Sequence, residues 1–307
     1  MGYKHLVILG AGSTIATIPE GDKNGMKSFT LDNLLTDPYF SSFVTKLNPK
    51  YNRLNVEQLC ERLNKENIHL YNELVSLIRT KYAKLELPDN FTILERLIMS
   101  LKADDAIVSF NWDDLLIQAY QRVNIPEEKL PHLCFPHGNA QAGFNNHRYG
   151  SKRDPKNKYL KNSPLNMPIN RSDYKENIFI NSQWRILDYY IKSALMITFF
   201  GYSGPISDQN DIQHLEQLFS ENKICTKIEI IDKSKESATS ISQRWDGFIK
   251  LTENKPDLCG SFFESRIARF PRRTIESLDN WVTQKKVEIE DKSTFKKRIF
   301  DLMKLEQ

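Results

Sequence analysis

The fold of this chain is decided by the stretch KHLVILGAGST, which occupies residues 4–14. Its first half is a short run of β-forming apolar residues, and its second half is a glycine turn. A buried strand that ends in such a turn typically opens a parallel α/β sheet, and the turn's backbone N–H groups can approach a phosphate closely. Because Ile15 occupies the place of the third glycine in G-x-G-x-x-G, a plain tight turn remains an equal alternative.

Four further apolar runs are typical of strands, and they lie at residues 106–110, 132–135, 195–200 and 227–231. Each run ends in glycine or polar residues, and helical spacing is found between several of them. The sequence therefore predicts an α/β fold, with a Rossmann-like parallel sheet flanked by helices.

The chain between the first two strands has helical rather than strand character. Leucines at positions 59, 63, 70, 74 and 77 are spaced for an amphipathic face, which predicts a helical insertion over about residues 31–101. Asn, Lys, Pro and Ser residues predict a long loop over about 139–180. We expect a catalytic domain over residues 1–270 and a C-terminal helical extension over 271–307.

Composition excludes several classes of protein. The 307 residues include 43 basic and 39 acidic side chains, a balance that gives no strong argument for binding nucleic acid or an anionic membrane. No apolar run approaches the ~20 residues that cross a bilayer, and no secretory signal is recognisable. The four cysteines form no C-x-x-C pair. We therefore expect a cytoplasmic protein without a metal, a membrane partner or a direct nucleic-acid contact.

Three polar residues follow predicted strands, at the edge where open parallel sheets bind their ligands. They are Asn111, Asp113 and His137. Each also has a structural explanation, since Asn111 could cap a helix, Asp113 could lie in its first turn and His137 could be a surface residue.

Two later strand ends carry further candidates of the same kind. Gly201 and Ser203 form part of a glycine turn, and Asp232 is an acid suited to ribose hydroxyls. Glycine turns and acids at strand ends also occur in sheets that bind nothing, so the value of these residues lies in their combination with the other strand ends.

The order of these motifs resembles that of the sirtuin family. The matching stretches are GAGS at 10–13 with IP at 18–19, NWD at 111–113, HG at 137–138, GYS at 201–203 and ID at 231–232. Together they span residues 4 to about 235, although each is short.

The resemblance implies a role for each candidate. The residues that would hold the pyrophosphate of NAD are Gly10, Ala11, Gly12, Ser13, Gly201 and Ser203. Asn111 and Asp113 would lie beside the nicotinamide ribose, His137 would be the catalytic base, and Asp232 would hold the adenosine ribose. NAD would thus be a substrate of this chain.

The sequence also departs from the family's protein deacylases. It lacks the paired C-x-x-C ligands of their zinc module, and PEGD at residues 19–22 stands where phenylalanine and arginine usually follow the Ile-Pro. What remains resembles the bacterial sirtuin-like effectors that hydrolyse NAD in anti-phage defence. That resemblance implies an NAD⁺ hydrolase controlled by homo-oligomerisation or by a partner such as an ATPase or a short Argonaute. An NAD-dependent deacylase and a catalytically silent sensor or scaffold subunit are the alternatives.

Overall fold

The computed structural model describes most of the chain. The described residues are 3–28, 35–51, 54–144, 149–151, 156, 158, 161–162, 165, 177–204, 209–250, 255–278 and 289–306. The strands are β1 (Lys4–Leu9), β2 (Ala106–Ser109), β3 (His132–Cys134), β4 (Ala142–Phe144), β5 (Tyr149–Ser151), β6 (Lys161–Asn162), β7 (Ala194–Phe200), β8 (Lys227–Ile231) and β9 (Asp257–Cys259).

Twelve α-helices connect and cover these strands in the described part of the chain. They are α1 (Ala11–Thr17), α2 (Ser41–Val44), α3 (Val56–Glu66), α4 (Ile68–Ala83), α5 (Ile93–Ser100), α6 (Leu115–Arg122), α7 (Ile178–Ser193), α8 (Gln209–Phe219), α9 (Lys235–Arg244), α10 (Asp246–Ile249), α11 (Arg266–Arg269) and α12 (Lys292–Lys304).

The main sheet has six strands in the order β3-β2-β1-β7-β8-β9, and all of its neighbouring pairs are parallel. Counted within this sheet, the order is 3-2-1-4-5-6, which is the order of dinucleotide-binding folds. The strands are nearly continuous apolar runs because helices cover both faces of the sheet. The predicted Rossmann-like sheet is confirmed.

The predicted helical insertion after the first strand is also confirmed, because α2 to α5 lie between β1 and β2. Capping explains two of the helix starts. Asn55 and Gln58 form a capping box at α3, and Thr92 and Glu95 form another at α5. Apolar side chains of this insertion pack in the same cluster as β1, α6 and α11, so the insertion belongs to the main core.

The structure differs from the sequence-based expectation in several very short strands. Within the segment expected to be a loop, β4, β5 and β6 form a small antiparallel sheet, while much of residues 145–176 lies outside the described residues. The three-residue edge strand β9 also had no sequence signal. In the C-terminal extension, α12 is helical, and residues 279–288 lie outside the described part.

No helix in the described part of the chain is both long and apolar enough to cross a membrane.

Candidate functional site

The strand order reverses between β1 and β7, and the loops that follow these two strands are packed together. A Cβ atom built on Gly10 would lie 2.6 Å from the carbonyl oxygen of Gly201, and one on Gly12 would lie 2.7 Å from Gly201 Cα. Gly201 has φ +62°, and a Cβ there would lie 2.3 Å from Ser13 N. The three glycines are therefore required for the close approach of two backbones.

Hydrogen bonds within the protein use most of the donors of the glycine turn. Gly10 N donates to Phe200 O at 3.1 Å, and Gly12 N donates to Gly201 O at 3.0 Å. Ser13 N donates to Gly10 O at 2.9 Å. Ala11 is exposed, and its N–H has no acceptor among the described residues. Of the four residues of the glycine turn, Ala11 is thus the one with a backbone donor available to a pyrophosphate.

Asn111 joins the end of β2 to the turn after β1. Its Nδ2 lies 3.0 Å from Gly10 O, 3.0 Å from Thr14 Oγ1 and 3.2 Å from Ser13 Oγ. Its Oδ1 accepts no hydrogen bond from the described residues, and the side chain is only partly buried. The amide is therefore fixed through its nitrogen, and its oxygen is available to accept a hydrogen bond from water or a hydroxyl.

Asp113 is buried beside helix α1, which carries Thr14. Its Oδ2 accepts a hydrogen bond of 2.7 Å from Thr14 Oγ1, and its Oδ1 accepts one of 3.1 Å from Leu115 N. Burial raises the pKa of Asp113 from 3.8 to about 6, and the Thr14 hydrogen bond opposes that rise. Above this value the site therefore contains a poorly solvated negative charge.

The loop after β3 is fastened to the loop after β2. Ala140 N donates to Trp112 O at 2.8 Å, and the fully buried Asn139 donates from Nδ2 to Asp113 O. Asn139 Oδ1 in turn accepts from Gln141 N at 2.9 Å. Side-chain hydrogen bonds of this kind to the backbone fix the path of the loop.

His137 lies in this loop among aromatic rings. Its imidazole meets Phe110 edge to face at 4.7 Å between centroids, and Trp184 of α7 lies at 6.5 Å. Phe110 also stacks on Tyr202 at 4.6 Å. These contacts connect the loops after β2, β3 and β7, so His137 and Asn111 occupy neighbouring loops of one sheet edge.

The sequence reasoning missed the partner of His137. His137 Nε2 lies 3.0 Å from Asp211 Oδ2, and both side chains are buried, with exposures of 11% and 5%. Asp211 belongs to the first turn of α8. The only sequence signal was an acid near a helix start, which more often reflects the helix dipole.

Ser203 and Asp232 make hydrogen bonds mainly with residues other than Asn111, Asp113 and His137. Ser203 O accepts a hydrogen bond of 3.4 Å from Arg244 Nη1. Asp232 follows β8, and its carboxylate accepts a hydrogen bond from the Ser237 hydroxyl. Gly201 N donates to Ile231 O at 2.9 Å, which places the ends of β7 and β8 side by side.

The helical insertion contributes two residues near these loops. Tyr82 of α4 meets Trp112 edge to face at 5.9 Å, and burial together with the charge of Asp113 raises the pKa of Tyr82. Arg79 Nη1 donates to Ala140 O at 3.2 Å. The insertion therefore touches the backbone that carries the candidate residues.

The described residues include no group of three or more His, Cys, Asp or Glu side chains placed to hold a metal ion.

Comparison with known proteins finds similarity among solved structures. No protein-family model and no curated protein sequence matches the chain. A Sir2 homologue with a serine-to-alanine substitution, in complex with ADP-ribose, is similar with TM-score 0.44 and 11% identity, covering 91% of this chain and 95% of that one. A structure described in terms of the mechanism and regulation of Sir2 enzymes has TM-score 0.38 and 12% identity, covering 81% and 93%.

A third similar structure is a Sir2 histidine-to-alanine variant with a deacetylated peptide and 3′-O-acetyl ADP-ribose. It has TM-score 0.36 and 13% identity, covering 89% of this chain and 92% of that one. The roles of individual residues are argued below from the geometry of this chain itself.

Proposed function

We propose that this chain is an NAD⁺ glycohydrolase, which cleaves the bond between nicotinamide and ribose to give nicotinamide and ADP-ribose. The observation that carries the proposal is the meeting of the loops after β1, β2 and β3 at one sheet edge, with Asn111 and Asp113 on the second loop and His137 on the third. That edge belongs to a sheet with the strand order of dinucleotide-binding folds. The motif order that resembles the sirtuins supports the same substrate.

The reaction breaks the C1′–N bond, and the bonding electrons leave with nicotinamide. The ribose passes through an oxocarbenium-like state, which a nearby negative charge stabilises. Asp113 is the buried carboxylate suited to this task, and it is ionised above its pKa of about 6. Water adds to C1′ and loses one proton, so the products are nicotinamide, ADP-ribose and a proton.

The attacking water needs a base that takes its proton and a hydrogen-bond acceptor that orients it. His137 would take the proton, since an imidazole changes its charge near neutral pH. Asn111 Oδ1 would accept a hydrogen bond from the water or from a ribose hydroxyl, because its amide nitrogen is already fixed by Gly10, Ser13 and Thr14.

The remaining binding roles are part of the same proposal. Ala11 N–H would contribute a donor to the pyrophosphate, and Ser203 would assist from the facing loop. Asp232 would accept hydrogen bonds from the adenosine ribose. Positioning of this kind lowers the barrier by fixing the reacting ribose.

The test is nicotinamide release from NAD by the purified full chain. Replacing His137 or Asn111 with alanine should lower turnover by about 10²-fold or more, the range for a lost general base or orienting group. His214→Ala is the matched control, since His214 also pairs with an acid at 3.0 Å but lies about one-third exposed on α8. Its turnover should stay within about twofold of wild type.

Two outcomes would replace this proposal. Nicotinamide release that requires an acyl-lysine peptide would identify an NAD-dependent deacylase. NAD binding without turnover in any assembled state would identify a sensor or scaffold subunit.

We further propose that the enzyme is a regulated effector that depletes NAD in anti-phage defence. An unrestrained NAD hydrolase would harm its own cell, so activity should depend on homo-oligomerisation or on a partner such as an ATPase or a short Argonaute. The helical insertion and the C-terminal helix are the candidate contact surfaces. A fully active isolated monomer would contradict this control.

A further inference from the structure

The pair formed by His137 and Asp211 is buried between the sheet edge and two helices. The atoms Nε2 and Oδ2 are 3.0 Å apart, and neither side chain is more than about a tenth exposed. No motif in the sequence assigns a role to Asp211. A buried acid in contact with a histidine needs an explanation, because burying ionisable groups is costly unless they are paired.

The proton arrangement of the pair follows from its chemistry. An ionised carboxylate only accepts hydrogen bonds, so Nε2 of His137 would be the donor across the 3.0 Å contact when Asp211 carries its charge. In the neutral imidazole the other nitrogen, Nδ1, is then the basic one. When Nδ1 takes a proton, the positive charge of the imidazolium forms within hydrogen-bond distance of Asp211.

We infer that Asp211 is a positioning residue that holds His137 in the tautomer with Nδ1 as its basic nitrogen and stabilises the imidazolium. This inference rests on the proposed function, in which His137 receives a proton from water. Acids that orient a catalytic histidine act in this way in other hydrolases.

Asp211 is the acid that the structure places against the ring. The side chains in contact with His137 include Asp211 from α8, Phe110 from the end of β2 and Trp184 from α7. Of these three contacts, Asp211 is the ionisable one. The aromatic rings restrict the tilt of the imidazole, whereas the carboxylate selects its tautomer.

A second pair at the same helix interface provides the control. His214 of α8 and Asp188 of α7 are also 3.0 Å apart, but their side chains are 33% and 31% exposed. Asp188→Asn therefore makes the same chemical change between the same two helices without touching His137.

The experiment compares wild type, Asp211→Asn and Asp188→Asn in the full chain. Asp211→Asn should lower kcat by about 10- to 100-fold with KM changed less than about twofold, because the base and not the binding surface is affected. Asp188→Asn should stay within about twofold of wild type in both constants.

The second readout is the ¹⁵N NMR spectrum of the His137 ring, assigned by comparison with His137→Gln. Wild type should show Nε2 protonated and Nδ1 unprotonated in the neutral ring. Asp211→Asn should show a mixture of tautomers and a titration midpoint shifted to lower pH, since the imidazolium has lost its counter-charge. Asp188→Asn should leave these signals unchanged.

The outcomes separate the inference from the proposed function. If Asp211→Asn lowers kcat but leaves the His137 ring signals unchanged, Asp211 is merely structural and the inference is overturned. If Asp211→Asn does not fold, Asp211→Glu keeps the charge and should retain the wild-type tautomer, and a mixture would overturn the inference. Absence of NAD cleavage by wild type would overturn the proposed function, while the ring signals would still test the pairing.

Discussion

Two polar clusters lie along the same sheet, and they differ in their position along the strands and in their burial. The strand-end cluster consists of Thr14, Asn111 and Asp113, which belong to α1 and the loop after β2. The mid-sheet row consists of His5, Thr198 and Glu229, which are fully buried on β1, β7 and β8.

The mid-sheet row is satisfied largely within itself and its neighbours. Thr198 Oγ1 lies 2.8 Å from His5 Nε2 and 3.2 Å from Glu229 Oε2. Glu229 Oε1 accepts a hydrogen bond of 2.7 Å from Arg266 N. Burial raises the pKa of Glu229 to about 7 and lowers that of His5 to about 3.

Perturbed ionisation therefore does not distinguish a site from a structural network in this protein, since Asp113 and Glu229 both titrate well above their ordinary range. The difference lies in access. Asn111 is partly exposed and has an acceptor oxygen that no described residue uses, whereas the mid-sheet row is sealed beneath the helices. Substitutions in the first cluster should affect turnover, and those in the second should affect stability.

The largest expected effect is that of Gly201→Ala, which disrupts the packing between the loops after β1 and β7, next to the strand-end cluster. The new Cβ would lie 2.3 Å from Ser13 N at a φ of +62°, so both loops must move. We expect a loss of about 3 kcal/mol in the free energy of unfolding, together with most of the activity. Urea unfolding and nicotinamide release measure the two effects.

Gly25→Ala is the matched control for this substitution. Gly25 also has a positive φ, +79°, but no atom lies within 4 Å of its added Cβ. Its cost should be about 1 kcal/mol from backbone conformation alone. Equal losses in the two variants would show that the contact between the loops contributes nothing.

The next effect concerns the mid-sheet row and depends on pH. The folded pKa of Glu229 is raised from 4.5 to about 7, so the folded state holds this proton more tightly than the unfolded chain does. The resulting stability is present below pH 4.5 and is lost as pH rises through 7, by about 3 kcal/mol in total. Glu229→Gln cannot ionise and should lack this loss.

Urea unfolding of wild type and Glu229→Gln from pH 5 to pH 8 checks this prediction. The variant should gain stability relative to wild type across that range, and its NAD turnover should change less than about twofold. A large loss of turnover with unchanged stability would place Glu229 in the site and remove the distinction between the two clusters.

The sequence allowed five of the six strands of the main sheet, β1, β2, β3, β7 and β8, to be predicted for a physical reason. These five strands are apolar runs that end in glycine or polar residues, and such runs have strong local signals. The strands β4, β5, β6 and β9 have only two or three residues each, and their pairing depends on distant partners rather than on local pattern.

The site was accessible from the sequence only in part. Asn111, Asp113 and His137 follow strands directly, so their position was deducible from topology. Asp211 reaches His137 across 74 positions of sequence, and only folding brings the two together. Glu229 lies in a strand that reads KIEII, where an alternating acid predicts an exposed face, but it is buried and accepts a hydrogen bond from Arg266 N at the start of α11.

A smaller effect is expected from Thr14→Val, which removes the hydroxyl that joins two members of the strand-end cluster. Thr14 Oγ1 donates to Asp113 and accepts from Asn111. Valine keeps the shape but leaves the carboxylate without this donor. We expect about tenfold slower turnover, corresponding to about 1.4 kcal/mol, the order of one lost hydrogen bond to a charged group.

Thr17→Val makes the same change one turn further along α1. Thr17 Oγ1 donates to Ser13 O at 2.7 Å and touches neither Asn111 nor Asp113. Nicotinamide release by this variant should remain within about twofold of wild type. A comparable loss of turnover in both variants would mean that helix α1, rather than the hydroxyl of Thr14, carries the effect.

The smallest effect should come from Asp232→Asn, which tests how far the functional edge of the sheet extends. Asp232 lies beyond β8, and an acid at that place suits a ribose diol. A contact remote from the reacting bond contributes equally to binding of the substrate and of the transition state, so KM should rise about 3- to 10-fold while kcat stays unchanged.

The Asp232 carboxylate also accepts a hydrogen bond from the Ser237 hydroxyl. Ser237→Ala therefore separates the two contacts and should leave KM within about twofold. A rise in KM in both variants would mean that the bond to Ser237 matters and would confine the functional edge to the loops after β1, β2, β3 and β7.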